Sequence, residues 1–200
     1  MDQKTVDTYN KLAAEYDAEV ADFWKRFPSE VFDRFIELVG GGRVLDVGSG
    51  SGRDGAILKD HGATVVCLDA AEAMVKLSAS RGLESVQGDF NNLPFPDASF
   101  DGVWAYTSLL HVPKAKIDKP LSEIFRVLKT GGVFGLGLIE GEGELYRLSS
   151  GMDRPRWFSF YTKEEVRTLF KKHHIEEIYF GEFPMHTKNY LNFIGRKEGA

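Results

Sequence analysis

The chain has 200 residues, 42% of them hydrophobic, with 25 Lys and Arg against 30 Asp and Glu for a formal net charge of −5. That length suits one domain with a full core and is short for two, and the negative balance argues against a broad electrostatic footprint for nucleic acid or anionic membrane. The lone cysteine, Cys67, excludes an intramolecular disulfide, Met1-Asp2-Gln3-Lys4 has no signal-peptide pattern, and the longest apolar run, Val133 to Ile139, is too short to span a bilayer; a cytoplasmic location is expected.

In chain order, Val6, Tyr9, Leu12, Ala13, Tyr16 and Val20 recur at helical spacing and predict a helix from Thr5 to Trp24. Pro28 stops it or opens the next, Ser29 to Val39, which Gly40-Gly41-Gly42 ends. A rhythm of strands and helices follows. Strand Arg43–Val47 leads to a helix from about Arg53 to Asp60. Strand Thr64–Leu68 ends in Asp69, and Glu72 to Ser80 is helical. Leu83–Gln87 is a short third strand ending in Gly88-Asp89, and Asn91 to Ser99 a Pro-rich loop. Phe100–Ala105 is a fourth strand, with a short turn or helix through His111. A helix with Pro120 in its first turn runs to Lys129, and Thr130-Gly131-Gly132 turns into strand Val133–Ile139. After a long Gly-, Glu- and Arg-rich segment from Glu140 to Tyr161, Thr162 and Glu165 form a capping box for a helix to Lys172. Ile175–Phe180 and Tyr190–Arg196 read as an antiparallel pair, because the link between them is too short for a helical crossover. Nearly continuous apolar strands alternating with helices predict a parallel α/β sheet covered on both faces.

Arg43 to Gly55 organises this pattern. A buried strand carrying one acid, Asp46, runs into Gly48-Ser49-Gly50-Ser51-Gly52, then a helix start. Such a turn brings backbone close to a ligand at the positive end of a helix. Gly50-Ser51-Gly52-Arg53-Asp54-Gly55 fits the G-x-G-x-x-G of dinucleotide binders, so an NAD(P)-linked oxidoreductase is one reading. However, the first glycine after the strand is Gly48, and Asp46 would repel a pyrophosphate. The same acid suits a ligand with a sulfonium and an α-ammonium, S-adenosylmethionine, whose carboxylate could meet the helix N-terminus and Arg53. Asp69 and Asp89, with Phe90 beside it, end the second and third strands. They are placed to accept from ribose hydroxyls and from an exocyclic adenine amine at the carboxyl edge of the sheet.

Val44-Leu45-Asp46-Val47-Gly48-Ser49-Gly50-Ser51-Gly52, then Asp69 and Gly88-Asp89-Phe90, resemble the class I S-adenosylmethionine-dependent methyltransferases. Phe100-Asp101-Gly102-Val103-Trp104-Ala105 and Leu128-Lys129-Thr130-Gly131-Gly132 continue the likeness; Thr130 stands where many members have proline. The resemblance covers nearly the whole chain. It implies a Rossmann-like three-layer sandwich with a seven-stranded, mostly parallel sheet of order 3-2-1-4-5-7-6, the seventh strand antiparallel. It implies one methyltransferase domain over 1–200, a helical lid over 1–40 and an insert over 140–161 shaping the acceptor pocket. It further implies a cofactor contact from Tyr16 in Tyr9…Ala13-Ala14-Glu15-Tyr16-Asp17, and Met74 beside adenine. Ala70, Ala105 and Tyr106 complete the expected cofactor residues, with Asp46, Gly48, Ser49, Gly50, Gly52, Arg53, Asp69, Asp89 and Phe90.

Methyl transfer from a sulfonium is an in-line displacement and needs a base only where the acceptor must lose a proton. His111, just beyond the fourth strand, is the candidate; the other reading is a packing or hydrogen-bonding histidine. His61, His173 and His174 read as helix C-terminal residues, His186 lies in a loop, and no spacing suggests a metal site. Amino-methylating DNA enzymes of this family place Asn/Asp/Ser-Pro-Pro-aromatic where this chain has Ala105-Tyr106-Thr107-Ser108, and Cys67 is misplaced for cytosine C5 chemistry. A small-molecule acceptor and a monomer or homodimer are expected, with no nucleic-acid or membrane partner. Arg147, Arg154, Arg156, Trp157 and Tyr161 would suit an anionic or aromatic acceptor, with Arg154, Arg156 and Tyr161 the candidate contacts; alternatively, Glu140, Glu142 and Glu144 pair with those arginines. Part of Arg154–Tyr161 resembles uncharacterised bacterial methyltransferases, including tellurite-resistance-type relatives. A cofactor-binding regulator without transfer activity is a third reading.

Overall fold

A computed structural model describes residues 2–26, 29–148, 153–185 and 187–199, so Pro28 and His186 lie outside the described residues. The N-terminal segment forms three helices, α1 (Gln3–Lys11), α2 (Ala13–Glu19) and α3 (Phe23–Arg26), rather than the single helix expected over Thr5–Trp24. The break is at Leu12, whose φ of −117° and ψ of 31° leave the helical region. Tyr16 N still reaches Leu12 O at 2.9 Å, so the apolar repeat runs through a kink of one residue. Periodicity is blind to such a kink.

Helix α4 (Glu30–Val39) buries Val31, Phe32 and Phe35. From there the chain lays down β1 (Arg43–Val47), α5 (Arg53–Asp60), β2 (Thr64–Asp69), α6 (Glu72–Ser80), β3 (Glu84–Gln87) and β4 (Phe100–Tyr106). A 3₁₀ turn at Leu109–His111, α7 (Asp118–Val127) and β5 (Leu128–Ile139) follow. The segment expected as an irregular insert contains a hairpin, β6 (Glu144–Arg147) and β7 (Arg156–Ser159), before α8 (Lys163–Lys172), β8 (Ile175–Met185) and β9 (Lys188–Lys197). The last two strands are longer than expected. Most of the stretch read as a link between them is paired, down to Met185 opposite Lys188. Pro184 is tolerated there because β8 is the edge strand.

The main sheet has the order β3-β2-β1-β4-β5-β9-β8. Numbered without the small hairpin, this is the expected 3-2-1-4-5-7-6, and β9 runs antiparallel to both β5 and β8. β1 is buried along almost its whole length, as a strand flanked on both sides and covered on both faces must be. Its register sets Asp46 opposite Cys67 of β2 and Trp104 of β4. The chain winds outward from β1 to β3, then returns to the other side of β1 with β4. Strand ends diverge at such a switch point and leave a crevice at their carboxyl edge. Helix α4 packs beneath this region, with Phe35 against Trp104 at 4.9 Å, whereas α1 lies across α6 and β7. α1 and α2 thereby roof the crevice.

Candidate active site

The turn after β1 needs glycine for packing before it needs glycine for a ligand. Gly48 has φ of +69°, and a Cβ there would collide with the Cβ of Ser108. Gly52, at φ +78°, would place a Cβ 2.6 Å from that of Ser78 on α6. Two bonds to Leu68 O, from Gly48 N at 2.7 Å and Ser49 N at 3.1 Å, fix the turn to the end of β2. Gly50 differs: its nearest neighbour would be the ring of Tyr16, at 3.6 Å, so it faces open space beneath the lid.

Carboxylates gather under this turn. Asp69 accepts from Gly50 N at 2.9 Å through Oδ2 and from Ala71 N at 2.8 Å through Oδ1. These bonds fix both oxygens and leave each a further lone pair. Burial pushes its carboxyl up to about 6 against those amides, which pull it down. Asp46 is 3% exposed, and its Oδ2 has no hydrogen-bond partner among the described residues. Burial, then the charges of Asp54 and Asp69, raise its pKa well above the usual carboxylate range. Asp54, which the sequence reading did not single out, accepts from Trp24 Nε1 at 2.6 Å and Trp104 Nε1 at 2.8 Å. It thus ties α3 to the sheet. Its indole partners stand thirty and fifty residues away in the chain, so no local motif announces them.

A chain of hydrogen bonds with fixed polarity closes the other side. His111 Nδ1 lies 2.5 Å from the carbonyl of Trp157, which cannot donate, so Nδ1 carries the proton. Nε2 then accepts from the Tyr9 hydroxyl at 2.8 Å, and the Tyr9 oxygen accepts from Arg156 at 2.6 Å. Burial, followed by the Arg156 charge, lowers the His111 pKa to about 3. His111 is therefore neutral at physiological pH, and both its nitrogens are engaged. Arg156 also lies over the rings of Tyr9, Tyr16 and Phe158 at 5.1, 5.5 and 5.3 Å.

These groups surround a cavity of about 450 Å³. Tyr16, Asp46, Gly48, Ser49, Gly50, Arg53, Tyr106, His111 and Arg156 line it. Asp69, Met74 and Phe90 line a narrow crevice of about 30 Å³ that shares Tyr9, Tyr16, Gly48, Gly50, Tyr106 and His111 with it. Arg53 is engaged with Asp17, donating to its Oδ1 at 2.8 Å and its carbonyl at 3.0 Å, and Arg81 holds both oxygens of the same carboxylate at 2.9 Å. The other expected residues lie off both cavities. Asp89 is exposed and caps Asn91, Ala70 takes Gln87 on its carbonyl, Gly52 supports the turn, and Ala105 is in the main core. Arg154 is exposed. Tyr161 lines a separate apolar pocket behind the sheet with Leu109, Leu136 and Phe170. Glu140 bonds Asn189, and Glu144 bonds Ser159 and Lys114 N.

A glycine turn at the switch point of such a sheet, with acids at the ends of the first two strands beneath a helical roof, defines a methyltransferase architecture. Residues 45–136 match the family model described as a methyltransferase domain, and the fold is the Rossmann-like fold of the class I S-adenosylmethionine-dependent methyltransferases. It is 36% identical over 165 residues to sterol 24-C-methyltransferase ERG6B of Gibberella zeae, covering 67% of this chain but 43% of that protein. The chain thus spans less than half the length of that relative. Among solved structures, the DhpI-SAH complex superposes with a TM-score of 0.79 at 20% identity, covering 99% of this chain and 97% of the other. The Burkholderia thailandensis 1,6-didemethyltoxoflavin-N1-methyltransferase, bound to 1,6-didemethyltoxoflavin and S-adenosylhomocysteine, superposes at 0.74 and 21% identity, covering 97% and 88%. At such identities these two likenesses concern the fold. No helix among the described residues is long and apolar enough to cross a membrane.

Proposed function

We propose that this chain transfers a methyl group from S-adenosylmethionine to a small-molecule acceptor. The observation that carries the reading is the charge beneath the glycine turn. Asp46, Asp54 and Asp69 converge there, while the nearby Arg53 and Arg81 are both engaged with Asp17. A pyrophosphate would meet three acids there. A cationic ligand would instead relieve the repulsion among them and give the unpartnered Asp46 Oδ2 a partner. This disfavours the dinucleotide reading.

Bound there, S-adenosylmethionine supplies a methyl group made electrophilic by its sulfonium. On this reading Asp69 accepts from the ribose hydroxyls, Asp46 faces the ammonium, Gly48 to Gly52 shape the backbone cradle, and Met74 and Phe90 flank the adenine. Tyr106 borders the same ligand and Tyr16 covers it, whereas Asp89, Ala70 and Ala105 stand off both cavities and make no contact with it on this reading. The lid is α1 to α3 and excludes water. The Tyr9 hydroxyl, held between His111 and Arg156, orients the acceptor. In this conformation the lone pair of His111 Nε2 is taken by Tyr9, so His111 positions Tyr9 instead of accepting a proton. The negative chain charge disfavours nucleic acid as the acceptor, and on this reading the enzyme is cytoplasmic, of one domain, monomeric or homodimeric, and acts on a small molecule.

A thermal-shift comparison of S-adenosylmethionine, S-adenosylhomocysteine, NAD and NADP tests the cofactor. Stabilisation by the first two is expected; stabilisation by the dinucleotides alone would overturn the reading. Incubation with a metabolite panel, followed by mass spectrometry for an added methyl group, tests transfer.

A further inference from the structure

The wall of the main cavity away from the glycine turn has the opposite character. Lys188 lines it at the start of β9, with Arg156 at the start of β7. The Lys188 side chain is half-buried, and its ammonium makes no hydrogen bond or ion pair among the described residues. Burial lowers its pKa, and the charges of Arg147 and Arg156 lower it further, with Glu19 opposing them. A half-buried lysine beside two other cations is stabilised when an anion comes to it. The surface around these groups is aromatic. Phe23 lies edge-on to both Tyr106 and Tyr190, each at 6.0 Å, and all three rings line the cavity.

We propose that this wall is the acceptor subsite, and that the acceptor is a planar aromatic acid whose carboxylate sits at Lys188 and Arg156 with its ring against Tyr106 and Tyr190. The inference rests on the methyltransferase reading and adds the acceptor's chemical class. The two walls divide the work by charge. Carboxylates at the turn take the cationic end of the methyl donor, and ammonium and guanidinium groups across the cavity take the anionic end of the acceptor. A cationic acceptor seated there would be repelled by Arg156 and Lys188.

Calorimetry on the full chain tests this. S-adenosylhomocysteine is titrated first, then 4-hydroxybenzoate, salicylate and indole-3-acetate are each titrated into the loaded protein beside their uncharged amides. At least one acid is expected to bind, with its amide about tenfold weaker or worse. Lys188→Gln should weaken that acid about tenfold with S-adenosylhomocysteine affinity unchanged, and Lys188→Arg should restore most of the loss, as expected for a charge-assisted hydrogen bond. Failure of every acid to bind up to about 10 mM, equal binding of acid and amide, or an unchanged affinity in Lys188→Gln would each overturn the proposal. Failure of S-adenosylhomocysteine to bind would instead strike the methyltransferase reading, and the acids would then be titrated into the unloaded chain under the same criteria.

Discussion

The two sides of the central cavity are built on different principles. On the turn side, geometry comes from backbone: glycines at positive φ, amides on Asp69, and a strand register that buries Asp46 beside Trp104. On the lid side it comes from side chains contributed by α1, the turn after β4 and the β6–β7 hairpin, joined as Arg156 to Tyr9 to His111 to the Trp157 carbonyl. Backbone geometry tolerates few substitutions and fixes one ligand shape. A side-chain network can be rebuilt residue by residue on an unchanged sheet, so on the proposed reading the lid side is where the acceptor can vary without altering how the donor is held.

If that contrast is right, the turn side should break hardest. Gly48→Val forces a branched residue into a left-handed conformation and into Ser108 and Phe90. It should cost about 3 kcal/mol or more of stability, from strain plus overpacking, and abolish S-adenosylhomocysteine binding. Urea denaturation and calorimetry read the two losses. A variant that folded and bound as before would show that the turn is softer than its packing implies.

Asp69→Ala should leave the fold largely intact and cost about 1.5–3 kcal/mol of cofactor binding, the range for hydrogen bonds to a charged group. The pH dependence sharpens this. The Asp69 carboxyl is raised to about 6 from 3.8, so in the folded chain it is protonated below about 6 and ionised above. Its contribution to stability therefore falls as pH rises from about 4 to about 6, because the folded state holds a proton that the unfolded state has released. Binding runs the other way. A carboxylate that must accept from hydroxyls is lost on protonation, so S-adenosylhomocysteine affinity should fall by up to about tenfold per pH unit below 6. Asp69→Asn should flatten that slope.

On the lid side, Tyr9→Phe removes the hydroxyl between Arg156 and His111 and leaves the Nε2 lone pair unpartnered. A cost of about 1–2 kcal/mol in stability is expected for the orphaned group, together with a fall in transfer rate larger than any change in S-adenosylhomocysteine affinity. Equal losses in both would place Tyr9 on the donor side instead.

The same division explains what could be read from the residues alone. Gly48 to Gly52 and Asp69 were legible because a turn dictated by backbone leaves its requirements contiguous in the chain. The sheet was legible because buried parallel strands are continuous apolar runs. Asp54 was not, since the two indoles that define it arrive from Trp24 and Trp104. Neither was the β6 strand, whose residues Glu144 to Tyr146 are exposed, so that no apolar alternation marks it. Lys188 fell in a stretch read as a link, because Pro184 and a short turn interrupt the strand pattern there. Leu12 continued a helical repeat through a kink that the repeat cannot register.

The smallest expected effect is a control that separates stability from either wall. Thr162 caps α8 by accepting from Glu165 N at 3.2 Å, while Glu165 Oε2 accepts from Thr162 N at 2.8 Å. Neither residue lines the main cavity or the adjoining crevice. Thr162→Ala should cost about 1 kcal/mol of stability, the ordinary price of a lost N-cap, with S-adenosylhomocysteine and acid binding unchanged. The partner group matters to the size of the loss. In the variant the Glu165 carboxylate keeps both its partners, the backbone N–H of residue 162 and Lys114 at 2.6 Å, and only the Glu165 N–H loses its acceptor, so the cost should not exceed that of the cap itself. If binding fell along with stability, losses seen in Asp69→Ala or Tyr9→Phe could no longer be assigned to the walls they stand in, since a general loosening of the domain would produce the same signal.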